Sequence, residues 1–376
     1  MNVEEAVVGE DFSGEFLVDE FQVNKTQRGA LFASLSLRDK TGEIKAVVWD
    51  YVREHDKFLT LGKVIYASGI VGEFNGAKQL KIDIFRPSTQ NAMNFARSSQ
   101  FDLDELYGKV EKVIESFEDD SIVALSRELL NHPIVTAFKK CPAATGVHNN
   151  WVGGLLEHVW SMIQIAEPII AHYKKSYAPY LKRDHVLFGV IFHDIGKVIE
   201  YDCSNPAFTR TDRGHLVNHI VVGPAWIHEK GIKAGVPARV KMELMHLVSS
   251  HHGCNDWGSP VKPVTLEALL LHHIDNLDSK FMHAWDLMES VEECQNGLTK
   301  RSWVEGTRFI SQREEYDEWV QGTFTKSDGS VEYRKDIADT ATEPSESEDS
   351  TEPAEPNGNS GHDKANAKSV ESSPLW

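Results

Sequence analysis

The sequence predicts a multidomain α+β protein, in which a five-stranded β-barrel is followed by an all-α helical bundle and an acidic, disordered tail. Three observations support this fold class. Apolar and polar residues alternate up to residue 86, apolar residues then recur every three or four positions, and the final part of the chain contains few aliphatic side chains. With 376 residues and 41% hydrophobic content, the chain is long enough for two separate cores.

The first domain, residues 1–88, is predicted to be a barrel of short strands. Alternating stretches separated by turn residues occur at 31–38, 43–50, 64–72 and 79–85. The turn at 39–42 joins the first two of these stretches as a hairpin. Five short strands, with an irregular stretch near 52–61, are typical of the OB-fold barrel.

Aromatic and basic residues occupy the outward positions of these strands. Bases stack on aromatic rings while cations follow the phosphates, so the predicted ligand is a single-stranded nucleic acid. Its predicted contacts are Phe32, Arg38, Lys45, Trp49 and Lys81. From Glu20 to Ser88 there are 11 basic and 8 acidic residues, although the whole chain has a net charge of −18. The alternative interpretation of Phe32 and Trp49 is that they cover the barrel core.

Residues 89–100 are predicted to be a polar linker, and residues 101–325 an all-α domain. One apolar stripe begins after Gly153-Gly154 and consists of Leu155, Leu156, Val159, Ile163, Ala166 and Ile170. Further helical patterns are found at 101–117, 122–140, 184–192, 216–230, 237–250, 266–290 and 303–320.

Residues 326–376 are predicted to be a disordered acidic tail. From Ser327 to Trp376 there are 12 Asp/Glu and only 4 Lys/Arg, with much Ser and Pro. Such a segment cannot bury enough apolar surface to fold. We expect it to keep the protein soluble or to bind an unidentified partner.

The cysteines and the hydropathy pattern predict a cytoplasmic protein. The four cysteines, Cys141, Cys203, Cys254 and Cys294, include no C-x-x-C pair. They therefore predict neither a zinc ribbon nor a disulfide framework, and they fit a reducing compartment. The N-terminus is acidic, unlike a signal peptide, and no run approaches the roughly 18 apolar residues of a membrane span. No membrane partner is expected.

Histidine and aspartate residues indicate a metal site in the helical domain. The chain has 17 histidines, and several predicted helices carry one or two beside their apolar stripe. Helical bundles build central metal sites in this way. The candidate ligands follow the order H…HD…H…HH…D and are His158, His193, Asp194, His219, His251, His252 and Asp275. The alternative interpretation of any single histidine is a hydrogen-bonded structural residue.

Imidazole and carboxylate ligands without cysteine suit Mn²⁺, Fe²⁺, Co²⁺ or Zn²⁺. Asp194 is predicted to bridge two ions, which together activate water for attack on phosphorus. The first ion is assigned to His158, His193, Asp194 and Asp275, and the second to Asp194, His219 and one or both of His251 and His252. Lys197 is predicted to neutralise charge on a phosphoryl oxygen, so Asp194 and Lys197 are the predicted catalytic residues.

These motifs resemble a known family. The order of His158, His193-Asp194 and Asp275 is similar to the signature of HD-domain metal-dependent phosphohydrolases. Further matching segments lie at 37–44, 142–144, 153–158, 192–198, 214–216, 219–221, 250–253, 258–261, 267–268 and 273–278. Over residues 12–285 the chain resembles the YhaM-like bacterial 3′→5′ exoribonucleases, which join an N-terminal OB-fold to an HD domain. Asn149 departs from this resemblance, because the family tends to have a second histidine after His148.

The resemblance implies an activity that spacing alone does not. It implies hydrolysis of single-stranded RNA from the 3′ end to nucleoside 5′-monophosphates. It also implies Mn²⁺ or Co²⁺ as the divalent ions, in preference to Fe²⁺, Zn²⁺ or Mg²⁺. Members of the family often form homo-oligomers, which makes a homo-oligomer a further expectation.

Two other functions fit the same residues. One is an HD phosphohydrolase of a small nucleotide, such as a cyclic dinucleotide or a dNTP, which the OB-fold would regulate. The other is a non-catalytic single-strand-binding adaptor whose metal is structural. Single-stranded DNA is the alternative substrate to RNA.

Overall fold

The computed structural model describes residues 1–144, 149–289, 298–302, 304–310, 323–325 and 331–333. The chain divides into two compact units, Met1–His283 and Ala284–Trp376. Most of the described residues belong to the first unit, which contains the β-barrel and most of the helical domain.

The barrel confirms the predicted five-stranded OB-fold. Its strands are β1 (Asp11–Lys25), β2 (Leu31–Arg38), β3 (Glu43–Val48), β4 (Val64–Phe74) and β5 (Ala77–Pro87). They close in the order β1–β2–β3–β5–β4, and all neighbours are antiparallel except β3 and β5, which run parallel. The inward side chains alternate with outward ones as the sequence predicts, so Ala33, Leu35 and Leu37 are buried in the core. Trp49 is 48% exposed and therefore does not cover that core.

The helical domain confirms the predicted all-α architecture. Its helices are α1 (Leu103–Glu115), α2 (Asp120–Leu129), α3 (Ile134–Phe138), α4 (Gly154–Ser176), α5 (Arg183–Phe192), α6 (Lys197–Glu200), α7 (Asp212–Leu216), α8 (His219–Lys233), α9 (Ala238–Ser250) and α10 (Leu266–Glu289). The helix expected over 122–140 is interrupted before Pro133, because proline lacks the N–H that would continue it.

Helix α5 lies at the centre of this domain. Every residue from Asp184 to Phe192 is buried, and the helix contacts α2, α4 and α9. At Gly189 a β-carbon would lie 2.8 Å from Leu271 Cδ2, so glycine leaves room for this side chain of α10 against α5. The end of α5 is consequently surrounded by protein, and His193-Asp194 follows it directly.

The segment between the two domains is held at both ends. It contains the 3-10 helix Ala92–Phe95, and Ser98 forms a β-bridge with Val152. Asn205 of the helical domain also donates to the Gly62 carbonyl at 3.4 Å. Contacts therefore join the barrel and the helices within the first unit.

The C-terminal part departs from one prediction. Residues 304–310 form turns and a bridge between Leu298 and Ile310 instead of the helix expected over 303–320, and residues 311–320 lie outside the described residues. The predicted acidic tail, 326–376, also lies outside them, apart from Val331–Tyr333. That strand, β7, pairs antiparallel with β6 (Thr323–Thr325).

One pair of cysteines departs from the prediction that the chain has no disulfide framework. Cys141 and Cys203 form a disulfide, with their Cα atoms 5.0 Å apart. They are 62 residues apart in the chain, so no local spacing could indicate the pair. Among the described residues, no helix combines the length and the apolar character needed to span a membrane.

Candidate metal centre

The predicted ligands meet inside the first unit. Helix ends provide His193-Asp194, His219 and His251-His252, and helix interiors provide His158 and Asp275. His158, His193 and His251 are at most 1% exposed. At Gly196 a β-carbon would lie 2.7 Å from the Cα and carbonyl oxygen of His219, so glycine allows the start of α8 to approach Asp194.

Each of the five histidines is oriented by one hydrogen bond from Nδ1. The acceptors are Asp278 for His158 (2.7 Å), Glu200 for His219 (2.6 Å), and the carbonyls of Val190 for His193 (3.0 Å), Val248 for His251 (2.7 Å) and Trp257 for His252 (2.8 Å). Carbonyl and carboxylate oxygens only accept, so Nδ1 carries the proton in every case. The lone pair of Nε2 is then available to a metal.

Four of these Nε2 atoms, all except that of His252, lie close to Asp194 or Asp275. From Asp194, the distances to Nε2 are 3.2 Å for His193 (Oδ2), 3.4 Å for His219 (Oδ1) and 3.7 Å for His251 (Oδ1). Asp275 Oδ1 lies 3.3 Å from His158 Nε2. Two ligands of one ion, each about 2.1 Å from it, lie roughly 3–3.5 Å apart. The observed separations are close to that range.

The donor set fits divalent metal ions. Buried Nε2 atoms of His193, His219 and His251, and Oδ1 of Asp194, have no hydrogen-bond partner among the described residues. Buried polar atoms are normally satisfied, so such a cluster needs a ligand. Two groups of three residues could each hold an ion: His158, His193 and Asp194 form one, and His219, His251 and His252 the other. Both groups lie within the ligand sets predicted from the sequence.

The charges around the site suit a cation. Burial alone would raise the pKa of Asp194, but Lys197 and His193 lower it well below its usual range. Burial is likewise outweighed at Asp275, whose pKa falls because of His158 and His193. Burial lowers the pKa of His251 well below its usual range, so this imidazole is neutral. Ionised carboxylates and neutral imidazoles are the forms that bind metals.

His158 differs from His251 because two carboxylates face it. Burial opposes its charged form, but hydrogen bonds to Asp275 and Asp278 outweigh burial and raise its pKa to about 10. A position that stabilises a proton this strongly also attracts a metal cation, which would take the place of the Nε2 proton.

Lys197 lies beside the central carboxylate. Its Nζ donates to Asp194 Oδ2 at 2.5 Å and to the carbonyl oxygen of Ala143. Burial would lower the pKa of Lys197, but Asp194 raises it, so the amine is protonated. The prediction that Lys197 neutralises charge on a phosphoryl oxygen is compatible with this location.

Two carboxylates of the site were missed by sequence reasoning. Glu200 accepts from both the backbone N–H and Nδ1 of His219 and also pairs with Arg210. Asp278 accepts from His158. Asp278 lies three residues after Asp275 on one helix, and this spacing could have identified it, since such residues share a face. No comparable signal indicated Glu200.

The five predicted nucleic-acid contacts divide into two sets on the barrel. Phe32 and Trp49 are in ring contact, with centroids 5.0 Å apart, and Trp49 and Lys81 line one recess. Arg38 pairs instead with Asp19 (2.7 Å) and Glu43 (3.2 Å), and Lys45 pairs with Glu20 and Glu43 (both 2.8 Å).

Comparison with known proteins connects both domains to recognised families. Residues 155–280 match the HD domain family, and residues 21–87 match an OB-fold nucleic acid binding domain family. The chain is similar to the 3′-5′ exoribonuclease YhaM of Halalkalibacterium halodurans, with 35% identity over 77% of this chain and 89% of the relative. It is also similar to the 3′-5′ exoribonuclease YhaM of Bacillus pumilus, with 32% identity over 73% of this chain and 86% of the relative. The second OB-fold domain of replication protein A from Methanococcus maripaludis aligns with a TM-score of 0.21 and 18% identity, covering 24% of this chain and 95% of that chain.

Proposed function

The chain belongs to the YhaM family of 3′-5′ exoribonucleases, and we propose that it hydrolyses single-stranded RNA from the 3′ end in a metal-dependent reaction. The observation that carries this proposal is the convergence of buried, oriented Nε2 atoms on Asp194. The products are nucleoside 5′-monophosphates, and single-stranded DNA is a second substrate to be tested. We propose that the protein acts in the cytoplasm, where RNA is abundant.

Two divalent ions are proposed at the site. His158, His193, Asp194 and Asp275 would hold one, and Asp194, His219, His251 and His252 would hold the other. Imidazole and carboxylate donors without cysteine support Mn²⁺ or Co²⁺. Bound there, the ions would polarise the phosphodiester and activate water for attack on phosphorus.

The residues of the chain prepare the site for this reaction. Asp194 is central because its two oxygens face histidines of both groups. Lys197 keeps a proton on Nζ next to Asp194, so it can neutralise charge that develops on a phosphoryl oxygen. Glu200 and Asp278 hold His219 and His158 in one tautomer and one orientation. Burial of these groups excludes bulk water and strengthens each electrostatic contact.

The barrel is proposed to hold the strand that the helical domain cuts. Phe32 and Trp49 provide aromatic surface for stacking, and Lys81 provides a cation that forms no ion pair with the described residues. Arg38 and Lys45 are proposed to contact phosphates as well. Their contribution is expected to be smaller, because carboxylates already neutralise part of their charge.

An end-labelled digestion tests the proposal directly. Matched RNA and DNA 12-mers labelled at the 5′ end are incubated with Mn²⁺, Co²⁺, Mg²⁺ or Zn²⁺ in turn. Stepwise shortening of RNA and release of nucleoside 5′-monophosphates is the expected result. Hydrolysis of a cyclic dinucleotide or a dNTP with no cleavage of either 12-mer would overturn it, as would binding of RNA without hydrolysis under any metal.

A further inference from the structure

A recess of about 570 Å³ lies on the barrel, where the end of β3, the 3-10 helix Arg53–Lys57 and the second half of β5 meet. The side chains that carry the following argument are Trp49, Asp50, Phe58, Lys81, Asp83 and Arg86. Small-molecule sites measure roughly 300–1,000 Å³, so the recess has room for one nucleotide. Four of these six residues were not among the predicted nucleic-acid contacts.

Aromatic side chains form part of the recess wall. Trp49 is 48% exposed and Phe58 38% exposed, so both present ring surface to a ligand. A row of packed rings supports this wall, since His55 contacts Tyr51 and Phe85 edge-on at 5.7 and 4.8 Å between centroids. A preformed aromatic surface binds a nucleobase by stacking.

The cations of the recess are better available to phosphates than those on the neighbouring face. Lys81 and Arg86 form no ion pair with a carboxylate among the described residues, whereas Arg38 and Lys45 each have two carboxylate partners. The Arg86 guanidinium lies 4.4 Å from the centre of the Tyr66 ring, a contact that orients it without neutralising its charge.

Two carboxylates also line the recess. Asp50 and Asp83 are exposed and form neither an ion pair nor a side-chain hydrogen bond with the described residues. They repel phosphate, so the edge of a base is the part of a nucleotide that suits them. Carboxylates accept hydrogen bonds from the exocyclic amines of cytosine, adenine and guanine. Uracil has a carbonyl oxygen in the position where cytosine has its amine.

We infer that this recess binds one nucleotide of the single strand and prefers a base that carries an exocyclic amine. The base stacks on Trp49 or Phe58, its amine donates to Asp50 or Asp83, and the flanking phosphates lie at Lys81 and Arg86. The inference rests on the proposed function, which supplies the single strand.

Binding of oligo(rC) and oligo(rU) 12-mers to the full chain tests the preference for an amine, because the two bases are pyrimidines of similar size. Binding is measured by fluorescence anisotropy, and EDTA prevents cleavage during the measurement. We expect oligo(rC) to bind about tenfold more tightly. The double variant Asp50→Asn/Asp83→Asn is expected to bring the ratio close to one. Equal affinity of the native chain for both oligomers would overturn the preference.

The stacking and phosphate contacts are tested separately. Phe58→Ala is expected to weaken the binding of both oligomers about tenfold. Arg86→Gln is expected to weaken the binding of both oligomers. It should also reduce the slope of log Kd against the logarithm of the salt concentration by about one. Tyr177→Ala and Arg239→Gln are the matched controls, since both side chains are exposed in the helical domain, at 73% and 80%. Native affinity in both recess variants would overturn the site.

Two further arms identify the source of a failure. If free CMP displaces oligo(rC) at equal concentration, the recess binds mononucleotides and the inference about the strand is wrong. Hydrolysis of a dinucleotide with Mn²⁺ is measured in the same preparations. Normal hydrolysis with unchanged binding overturns the recess alone, whereas a native chain that hydrolyses no RNA overturns the proposed function.

Discussion

The metal centre and the barrel surface use similar polar residues in opposite ways. In the metal centre, each histidine donates from Nδ1 to one partner, and the buried Nε2 atoms of His193, His219 and His251 are directed at Asp194. On the barrel, Arg38 and Lys45 are partly exposed and pair with three carboxylates, of which Glu43 contacts both. Because the metal centre is buried, water cannot replace a hydrogen-bond partner that a substitution removes, so each substitution there should have a large effect. The barrel surface is open to solvent, so each ion pair there contributes little free energy and a single substitution should have a small effect.

The largest effect is expected at the centre of the buried region. Asp194→Asn removes the charge that faces histidines of both groups, so hydrolysis of RNA should fall by about 10³-fold or more. Binding of a 12-mer in EDTA should change little, since the barrel is intact. Asp256→Asn, at an exposed aspartate in the 3-10 helix Asn255–Trp257, is the control and should keep native activity. Activity that survives Asp194→Asn would show that the buried region is not the catalytic one.

The orienting carboxylates should have the next largest effect. Asp278→Asn and Glu200→Gln replace charged acceptors of Nδ1 with neutral amides, so the metal affinity should fall by roughly 10- to 100-fold. The measurement is hydrolysis as a function of Mn²⁺ concentration. Recovery of kcat at high Mn²⁺ is expected, because both residues act through a histidine. A loss of kcat that Mn²⁺ does not restore would contradict this positioning role.

Metal binding should also stabilise the buried region. The cluster places several ionised or unsatisfied groups together, and a bound cation compensates them. Mn²⁺ at about 100 times its Kd should stabilise the folded state by about 2.7 kcal/mol, and EDTA should reverse this. Thermal unfolding of the native chain and of Asp194→Asn provides the test. An equal rise in Tm for both proteins would contradict binding at the predicted ligands.

On the barrel, Trp49→Ala should weaken the binding of a single-stranded 12-mer by about tenfold, because one stacking surface is lost. Its kcat on a dinucleotide should remain native, in contrast to the buried variants. The indole is 48% exposed, so the substitution should cost little stability. A fall in kcat on the dinucleotide would remove the distinction between the two regions.

The smallest effect is expected from Glu43→Gln, which releases Arg38 and Lys45 from a shared carboxylate. Binding of the 12-mer should become about two- to fivefold tighter. Burial would raise the pKa of Glu43, but the hydrogen bond from Lys45 and the charges of Lys45 and Arg38 lower it to about 2, so the gain should be constant from pH 5 to 8. Since this pKa is depressed on folding, the pair stabilises the fold above the unfolded value near 4.3 and loses that stabilisation as the pH falls towards 2. Unchanged binding by Glu43→Gln would show that Arg38 and Lys45 do not contact the strand.

Local patterns were sufficient for the architecture and for the identity of the candidate ligands. Alternation predicted the barrel, and the three- to four-residue period predicted the bundle, because each pattern reports which side of an element is buried. His158, His193, Asp194, His219, His251, His252 and Asp275 were recognisable because they stand in one order near apolar helix stripes. The helix expected over 303–320 was wrong for 304–310, since periodicity alone does not ensure a packing partner.

Several partners in the molecule were decided by the packing of distant segments. His158 and Asp278 are 120 positions apart and meet only because α4 and α10 pack together. Cys141 and Cys203 are separated by 62 positions and meet in the same way. On the barrel, the pairing of β1 with β2 brings Asp19 to Arg38 and removes much of the charge that the sequence suggested was available. The order of residues in the sequence thus predicts which side chains are candidate metal ligands. Contacts between distant segments, formed when the cores pack, bring Asp278 to His158 and Glu200 to His219 and gather the Nε2 atoms around Asp194. His193, His251 and His252 are instead oriented by carbonyls three to five residues away in the chain.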